Sequence, residues 1–457
     1  MGVNKTFDEL LSTKDISGIL SILDNNSENA SSNIKKYNVN THNINDREDK
    51  ILTNEKGERI GLKKQWKLPI NYPKYINEIS LVMLFGNPVK WNQTSKKTDN
   101  AYHKFLDVLK KIRFDYAIRQ CKRIAGAESE SALLIHWEKE EEGGLPDILA
   151  KPLSKSLGDD LYYSKDQFGR LLNFARVYNL KVGGDVKQHC DIYTKKNIYR
   201  CVKSNLGWDV NIEINLAGKI PVILFQQNTE FGDVNPLIER QEWLASTNAD
   251  TNDYFSSPIL KLHIDKIASM PEKNDQGKII KLTGEGGASY LTYDSLPEGK
   301  KYEMDFLDKH ILRGAFTPSI DYENIKGTSN MSGKALKQLM ILAKIKADMN
   351  KEIYGAMLDR FSNLIIAIIS NILDVKLKEE CEKLIITHEF QEPFDEDIST
   401  LLNDLIEAKQ NEIISQQSAV SLNPYVTNAS EELEKIKIEK EEKVEKERAV
   451  NIFESGI

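Results

Sequence analysis

The residues best suited to chemistry are His189 and Cys190 with Cys201, the run Gly284, Glu285, Gly286 and Gly287, and Cys381 with His388. Imidazole and thiolate are zinc ligands, and a thiol near an imidazole can serve as a nucleophile with its base. The spacing of His189, Cys190 and Cys201 matches no common zinc pattern, and alternation along a strand would scatter the three side chains. The glycine run could cradle a phosphate, but no Lys-Ser/Thr pair follows it. The dinucleotide pattern fails at Ser289, and a strand follows where a helix is needed. A hairpin turn accounts for it better. Cys381 and His388 have no third partner in view, which makes a buried thiol the default. The many acidic residues form no carboxylate pair or divalent-metal cluster. No catalytic, cofactor or metal residue is expected.

The elements around these residues follow from periodicity. Residues 1–59, rich in Asn, Ser, Lys and Asp, read as a poorly packed polar leader with one short amphipathic helix near Phe7 to Leu23. A helix carrying Ile76, Ile79, Met83 and Leu84 should end at Gly86 and Pro88. A second should run from Ala101 to Lys122 with Phe105, Leu109, Ile112 and Tyr116 on one face. From Ser131 to Phe225 the period shifts toward two, which predicts strands in a mostly antiparallel sheet. Asn235 and Pro236 open a helix that turns polar in its second half, so neither face suits a monomer core. Short strands follow (ILKLHI, GKIIKL, SYLTY), then a short helix from about Met304 to Arg313. The longest helix should run unbroken from Lys334 to Leu373, about 60 Å at 1.5 Å per residue, exposed at its start and buried at its end. The tail from Asp395 should hold two more helices.

Composition narrows the function classes. Apolar residues make 40% and charged residues 29% of 457, an ordinary soluble balance with room for two or three domains. Four scattered cysteines with no C-x-x-C pair fit a reducing compartment. The start MGVNKTFDELL lacks the plan of a signal peptide, and the apolar run FSNLIIAIISNIL is shorter than a bilayer needs, so no membrane is expected. A net charge of -7 argues against tight phosphate gripping.

An ordered series of motifs adds a resemblance. It begins with MLFGNPV, Met83 to Val89, then Arg176-Val177-Tyr178 and Asp191-Ile192-Tyr193-Thr194 on strands. Ile220 to Phe225 leads into the polar helix, and Asn330-Met331-Ser332-Gly333-Lys334-Ala335-Leu336-Lys337 opens the long one. Phe390 to Pro393, Ser418 to Leu422 and Pro424 to Val426 precede a Glu-rich helix. This order resembles the portal (head-to-tail connector) proteins of tailed double-stranded DNA bacteriophages. Thr427-Asn428 stands where that family has an acidic pair, and the polar helix lacks its usual Ile-Asp start.

The resemblance implies an α+β portal fold, as a subunit of a dodecameric ring. The leader would be 1–59, the wing 60–233 and 334–394, and the stem helices 234–257 and 301–316. The clip would be 258–300, the tunnel loop 317–333, and the crown 395–457. It implies a structural role at one capsid vertex, in the virion after assembly in the host cytoplasm, as the channel for DNA packaging and ejection. Implied partners are further copies of the chain, the terminase large subunit, a neck adaptor, the major capsid and scaffolding proteins, and transiently held double-stranded DNA. Asn324, Lys326, Asn330 and Lys334 become candidates to touch DNA. Lys273, Asn274, Asp275, Gln276 and Glu285 become candidates to dock motor and adaptor. A phage nucleic-acid enzyme of the nuclease class is the alternative, and it lacks a visible metal-binding cluster.

Overall fold

The computed structural model describes residues 6–138, 147–182, 184–205, 207–255, 259–263, 266–269, 281–283, 287–291, 298–320, 338, 340–393, 398–423, 425–426, 429 and 432–441. The chain divides into two units, Met1–Ile320 with Met340–Gln391, and Asp321–Leu339 with Glu392–Ile457.

The amino-terminal segment is better packed than its composition suggested. Two helices, α1 (Phe7–Ser12) and α2 (Ile16–Ile22), replace the single one expected. Thr6 and Glu9 form a reciprocal cap on α1, and Asp15 caps α2 through the Gly18 amide. Lys14, at φ 56, turns the chain between them. Leu10, Ile16, Ile19 and Leu23 then bury against the sheet residues Ala175, Val177, Cys190, Ile192 and Cys201. Averaging over a polar segment hid these few apolar residues. Strand β1 (Asp24–Asn25), helix α3 (Ser27–Tyr37) and a hairpin of β2 (Lys50–Thr53) and β3 (Arg59–Lys63) complete the segment.

Helix α4 (Tyr72–Phe85) ends where expected, yet Gly86 keeps right-handed angles, φ -59. The stop therefore comes from Pro88, which disfavours helix in the residue before it, and not from a left-handed cap. After β4 (Lys90–Gln93), the expected helix 101–122 is two, α5 (Asp99–Lys111) and α6 (Phe114–Glu128). Arg113, at φ 51, breaks them. The break rotates Tyr116 outward to 75% exposure, against its expected place on the apolar face. Periodicity on both sides of a two-residue kink looks continuous, so the pattern missed it.

The strand region forms two sheets, not one. Strands β5 (Glu130–Glu138) and β6 (Asp147–Leu153) join β12 (Val222–Gln226) in the order β12-β5-β6. Strands β7 (Asp159–Lys165), β8 (Leu171–Val182), β9 (Asp185–Tyr193), β10 (Asn197–Ser204) and β11 (Gly207–Ile214) follow β1 in an antiparallel meander. Ala132, Leu134, Val222 and Leu224 of one sheet share a core with Leu161, Phe174, Tyr193 and Ile198 of the other. The opposite face of β5 and β12 (Leu133, Ile135, Ile223, Phe225) packs on the helices. Period-two alternation thus gives β5 and β12 two destinations, which keeps both of their faces covered.

Helix α7 (Asn235–Phe255) begins as predicted. Four short strands come next, β13 (Ile259–His263), β14 (Lys266–Ser269), β15 (Lys281–Thr283) and β16 (Gly287–Leu291), paired β13 with β16 and β14 with β15. Helix α8 (Glu298–Gly314) starts six residues before the expected Met304. Helix α9 (Ile341–Ile368) continues into a π-helical turn, Ile369–Leu373. Residue 338 is helical and Met340 is a turn residue that caps α9, so the helix does not run unbroken through 340; residues 334–337 and 339 lie outside the described residues. As expected its start is exposed (Ile341, Ile345, Met349) and its end buried (Tyr354, Leu358, Phe361, Leu364, Ile365, Ile368). Although Ile341–Leu373 has the length and apolarity to cross a bilayer, this buried face belongs to the main core. Helix α10 (Lys378–Lys383) and strand β17 (Ile386–Glu389), paired with β4, close the larger unit. The smaller unit holds α11 (Ile398–Gln410), α12 (Gln416–Leu422) and helical residues 432–441.

Candidate functional site

The candidates Asn324, Lys326, Asn330 and Lys334, and Lys273, Asn274, Asp275, Gln276 and Glu285, all lie outside the described residues. The neighbouring elements whose side chains are described are helices α7 and α8 and the start of α9.

Helix α7 is served on two sides. Ile238 and Leu244 bury against Leu307 and Ile311 of α8, so one face does form a core within the chain. The polar side carries Glu239, Glu242, Ser246, Asp250 and Asp253, spaced three and four apart on one stripe. An extended segment runs antiparallel along it. The amides of Trp66, Leu68 and Ile70 donate to Asp250 (2.9 Å), Ser246 (2.9 Å) and Glu242 (2.8 Å). Two extended residues rise about 6.6 Å and four helical residues about 6.0 Å, so the two repeats stay in step. Pro69, which has no N–H, falls on the alternate set where no donor is needed. Arg47 pairs with Asp250 at 2.7 Å and lies over Trp243, while His42 Nδ1 stands 2.6 Å from Glu242. The helix's polarity is thus partly consumed inside the chain, which corrects the reading that neither face could pack in a monomer. The three/four stripe of side-chain acceptors was the signal that could have shown it.

A buried charge cluster joins α6, the loop before α7, and α9. Lys122, Glu230 and Lys346 come from those three places; the side chains of Lys122 and Glu230 are 0% and 2% exposed. Lys122 pairs with Glu230 Oε1, and Lys346 reaches Oε2 at 2.8 Å. Asn350 and Gln227 also donate to the carboxylate, at 3.2 and 2.9 Å. Burial alone would raise the Glu230 carboxyl; the two ammonium groups outweigh it and hold it down to about 2. Burial pulls the Lys122 ammonium below its ordinary value, against the pull of Glu230. Gly126 permits this approach, since a Cβ there would stand 2.0 Å from Asn77 Oδ1 and 2.9 Å from Glu230 Cγ.

The strand motifs build a second cluster. Asp191 Oδ2 accepts from Arg176 Nη2 (2.8 Å), Arg200 Nη1 (2.8 Å), Tyr178 (3.2 Å) and Tyr193 (3.4 Å). The Arg176 guanidinium lies 4.2 Å from the Tyr178 ring centroid and also reaches Asp159 at 3.4 Å. Burial, reinforced by Asp191, raises the Tyr178 and Tyr193 hydroxyls to about 12, so both stay protonated donors. Arg-x-Tyr and Asp-x-Tyr-Thr are therefore a packing device, holding β8, β9 and β10 together on the side that faces the second sheet.

Cys190 and Cys201 face each other across β9 and β10 as free buried thiols, while His189 points to the opposite face and stacks on Tyr178. Cys381 is buried in the core and its thiol is pushed up to about 11 by burial; His388 pairs with Asp359 at 2.9 Å. Among the described residues, no three His, Cys, Asp or Glu side chains gather as a metal site.

Comparison with known proteins matches residues 19–446 to the family model described as phage portal protein, SPP1 Gp6-like. A curated relative, the portal protein of Bacillus phage SPP1, is 23% identical over 309 residues, 60% of this chain. The match spans 58% of that relative's length. Similar solved structures include a chain from the neck of a native gene transfer agent particle computed with C12 symmetry. It is 10% identical, with a TM-score of 0.43, covering 78% of this chain and 90% of that one. A chain from the virion of a native gene transfer agent particle is 9% identical, with a TM-score of 0.35, covering 79% and 89%.

Proposed function

The chain belongs to the SPP1 Gp6-like phage portal family, a family of structural proteins, and on that premise we propose that it is a non-enzymatic ring subunit through which viral DNA passes. Twelve copies would close the ring at one capsid vertex of the virion, assembled in the host cytoplasm. The observation that carries this reading is the helix–strand–helix unit α7, β13 to β16 and α8, inside the matched residues. Its two helices pack on each other through Ile238, Leu244, Leu307 and Ile311 and leave Trp243, Tyr302 and Phe306 exposed at 47%, 72% and 44%. Exposed aromatics on a helix pair suit burial against a further copy of the same pair.

In this reading α7 and α8 are the stem, and the strands between them are the clip. The wing is 60–233 with 334–394, and the crown 395–457. Lys273, Asn274, Asp275, Gln276 and Glu285 sit on the clip and dock the terminase motor, then the neck adaptor. Capsid and scaffolding proteins hold the ring in the shell. Asn324, Lys326, Asn330 and Lys334 belong to the tunnel loop and touch passing phosphates. The net charge of -7 keeps that grip loose.

The test is the size and cargo of the particle. Purified chain of 52.1 kDa should assemble to about 600 kDa with a central channel and hydrolyse no ATP. Lys326→Glu should give rings of the same size that package less DNA. A persistent monomer at micromolar concentration, or ATP turnover, overturns the reading.

A further inference from the structure

Both flanks of segment 321–339 are tied to one ammonium. The chain leaves the larger unit after Ile320 and returns to it at Met340. On the outgoing side, Lys346 Nζ donates to the Ala315 carbonyl at 3.0 Å, just past the last residue of α8. That oxygen is one of the carbonyls left free at a helix end, and it also accepts from the Thr317 hydroxyl at 3.1 Å. Further out, the Tyr75 hydroxyl donates to the Pro318 carbonyl (2.7 Å) and accepts from the Ile320 amide (3.2 Å). On the returning side, Lys346 sits in the second turn of α9, six residues after the buried Met340. The same ammonium donates to the Glu230 carbonyl at 2.8 Å and pairs with its carboxylate at 2.8 Å. Three acceptors from two separate segments thus converge on one largely buried charge. An ammonium in such a place cannot drift without losing its neutralising partner, which makes the arrangement stiff.

We propose that Lys346 is the positioning residue that fixes the spacing between the two flanks of segment 321–339 and couples that spacing to the start of α7. The consequence for DNA rests on the reading of this segment as the tunnel loop. Lys122 is a built-in control. It shares the Glu230 carboxylate and bonds Gln227, but the structure gives it no bond to either flank.

The experiment uses the full-length chain with Ile320→Cys and Ile341→Cys, both exposed positions, carrying spin labels; the four native cysteines are buried. Pulsed electron resonance then reads the distance between the flanks. Lys346→Met should broaden that distribution at least twofold, and Lys346→Arg should restore part of it. Lys122→Met should destabilise the chain yet leave the distribution as in the parent. Tyr75→Phe, which removes the hydroxyl bonded to Pro318 and Ile320, should broaden it to a smaller degree. Equal broadening by Lys122→Met, or none with Lys346→Met, overturns the proposal. If Lys346→Met broadens the flanks while it and Lys326→Glu both package DNA normally, the clamp stands and the tunnel-loop reading fails.

Discussion

The molecule neutralises buried charge in two different ways. In the sheet, Arg176, Asp191 and Arg200 lie on three consecutive strands whose register already sets Arg176 opposite Asp191 and Asp191 opposite Arg200. Asp159 offers a second carboxylate, and the faces of Tyr178 and Tyr193 lie under the two guanidinium groups. In the helical layer, Lys122, Glu230 and Lys346 arrive from elements more than 100 residues apart, and two ammonium groups share one carboxylate. The first cluster is local and has reserves. The second is assembled only when the whole unit closes, and everything in it depends on Glu230. A planar, weakly hydrated guanidinium tolerates partial pairing against a ring face better than a compact ammonium does.

The comparison breaks if the two carboxylates prove equal. Glu230→Gln should cost about 3–5 kcal/mol in denaturant unfolding, the usual penalty for stranding a buried charge. Asp191→Asn should cost about 1–3 kcal/mol, since Asp159 and the aromatic faces remain. Equal losses would mean that the sheet cluster has no reserve.

Acid should find the same weak point. The folded-state Glu230 carboxyl is lowered from 4.5 to about 2, so its contribution is fully present above about pH 4.5 and disappears as pH falls toward 2. The lost stability is about 3 kcal/mol. An unfolding series between pH 5 and 2 should show this slope in the parent and a flatter one in Glu230→Gln.

A third carboxylate sharpens the contrast with the opposite sign. Glu130 is buried with Oε2 unbonded, and burial, with Glu128 and Asp160 nearby, raises it to about 7. A raised acid favours folding when protonated, so stability should fall as pH rises from 4.5 to 7. Glu130→Gln should therefore gain about 1–2 kcal/mol above pH 7 and little below 4.5. A loss at pH 8 would show that the carboxylate is useful where it stands.

Much of this was legible from residues alone. Helix α7 begins at Asn235, the alternating runs are antiparallel strands, and His189 and Cys190 part to opposite faces, because these depend on local period and local sterics. The motif order by itself points to the family, although the Arg-x-Tyr and Asp-x-Tyr-Thr pieces give no hint that they form one ion cluster. Other features were settled only in three dimensions. Arg113 divides α5 from α6 without disturbing the apolar period on either side, and Tyr116 turns outward as a result. Residues 66–70 find the acceptor stripe on α7 across some 180 positions of chain, a match of two rises that neither segment displays alone. Lys346 looks like any surface lysine of a helix until Glu230 and Ala315 are brought beside it. Period and propensity are properties of neighbours in sequence. A buried charge is decided by partners that only the closed fold supplies.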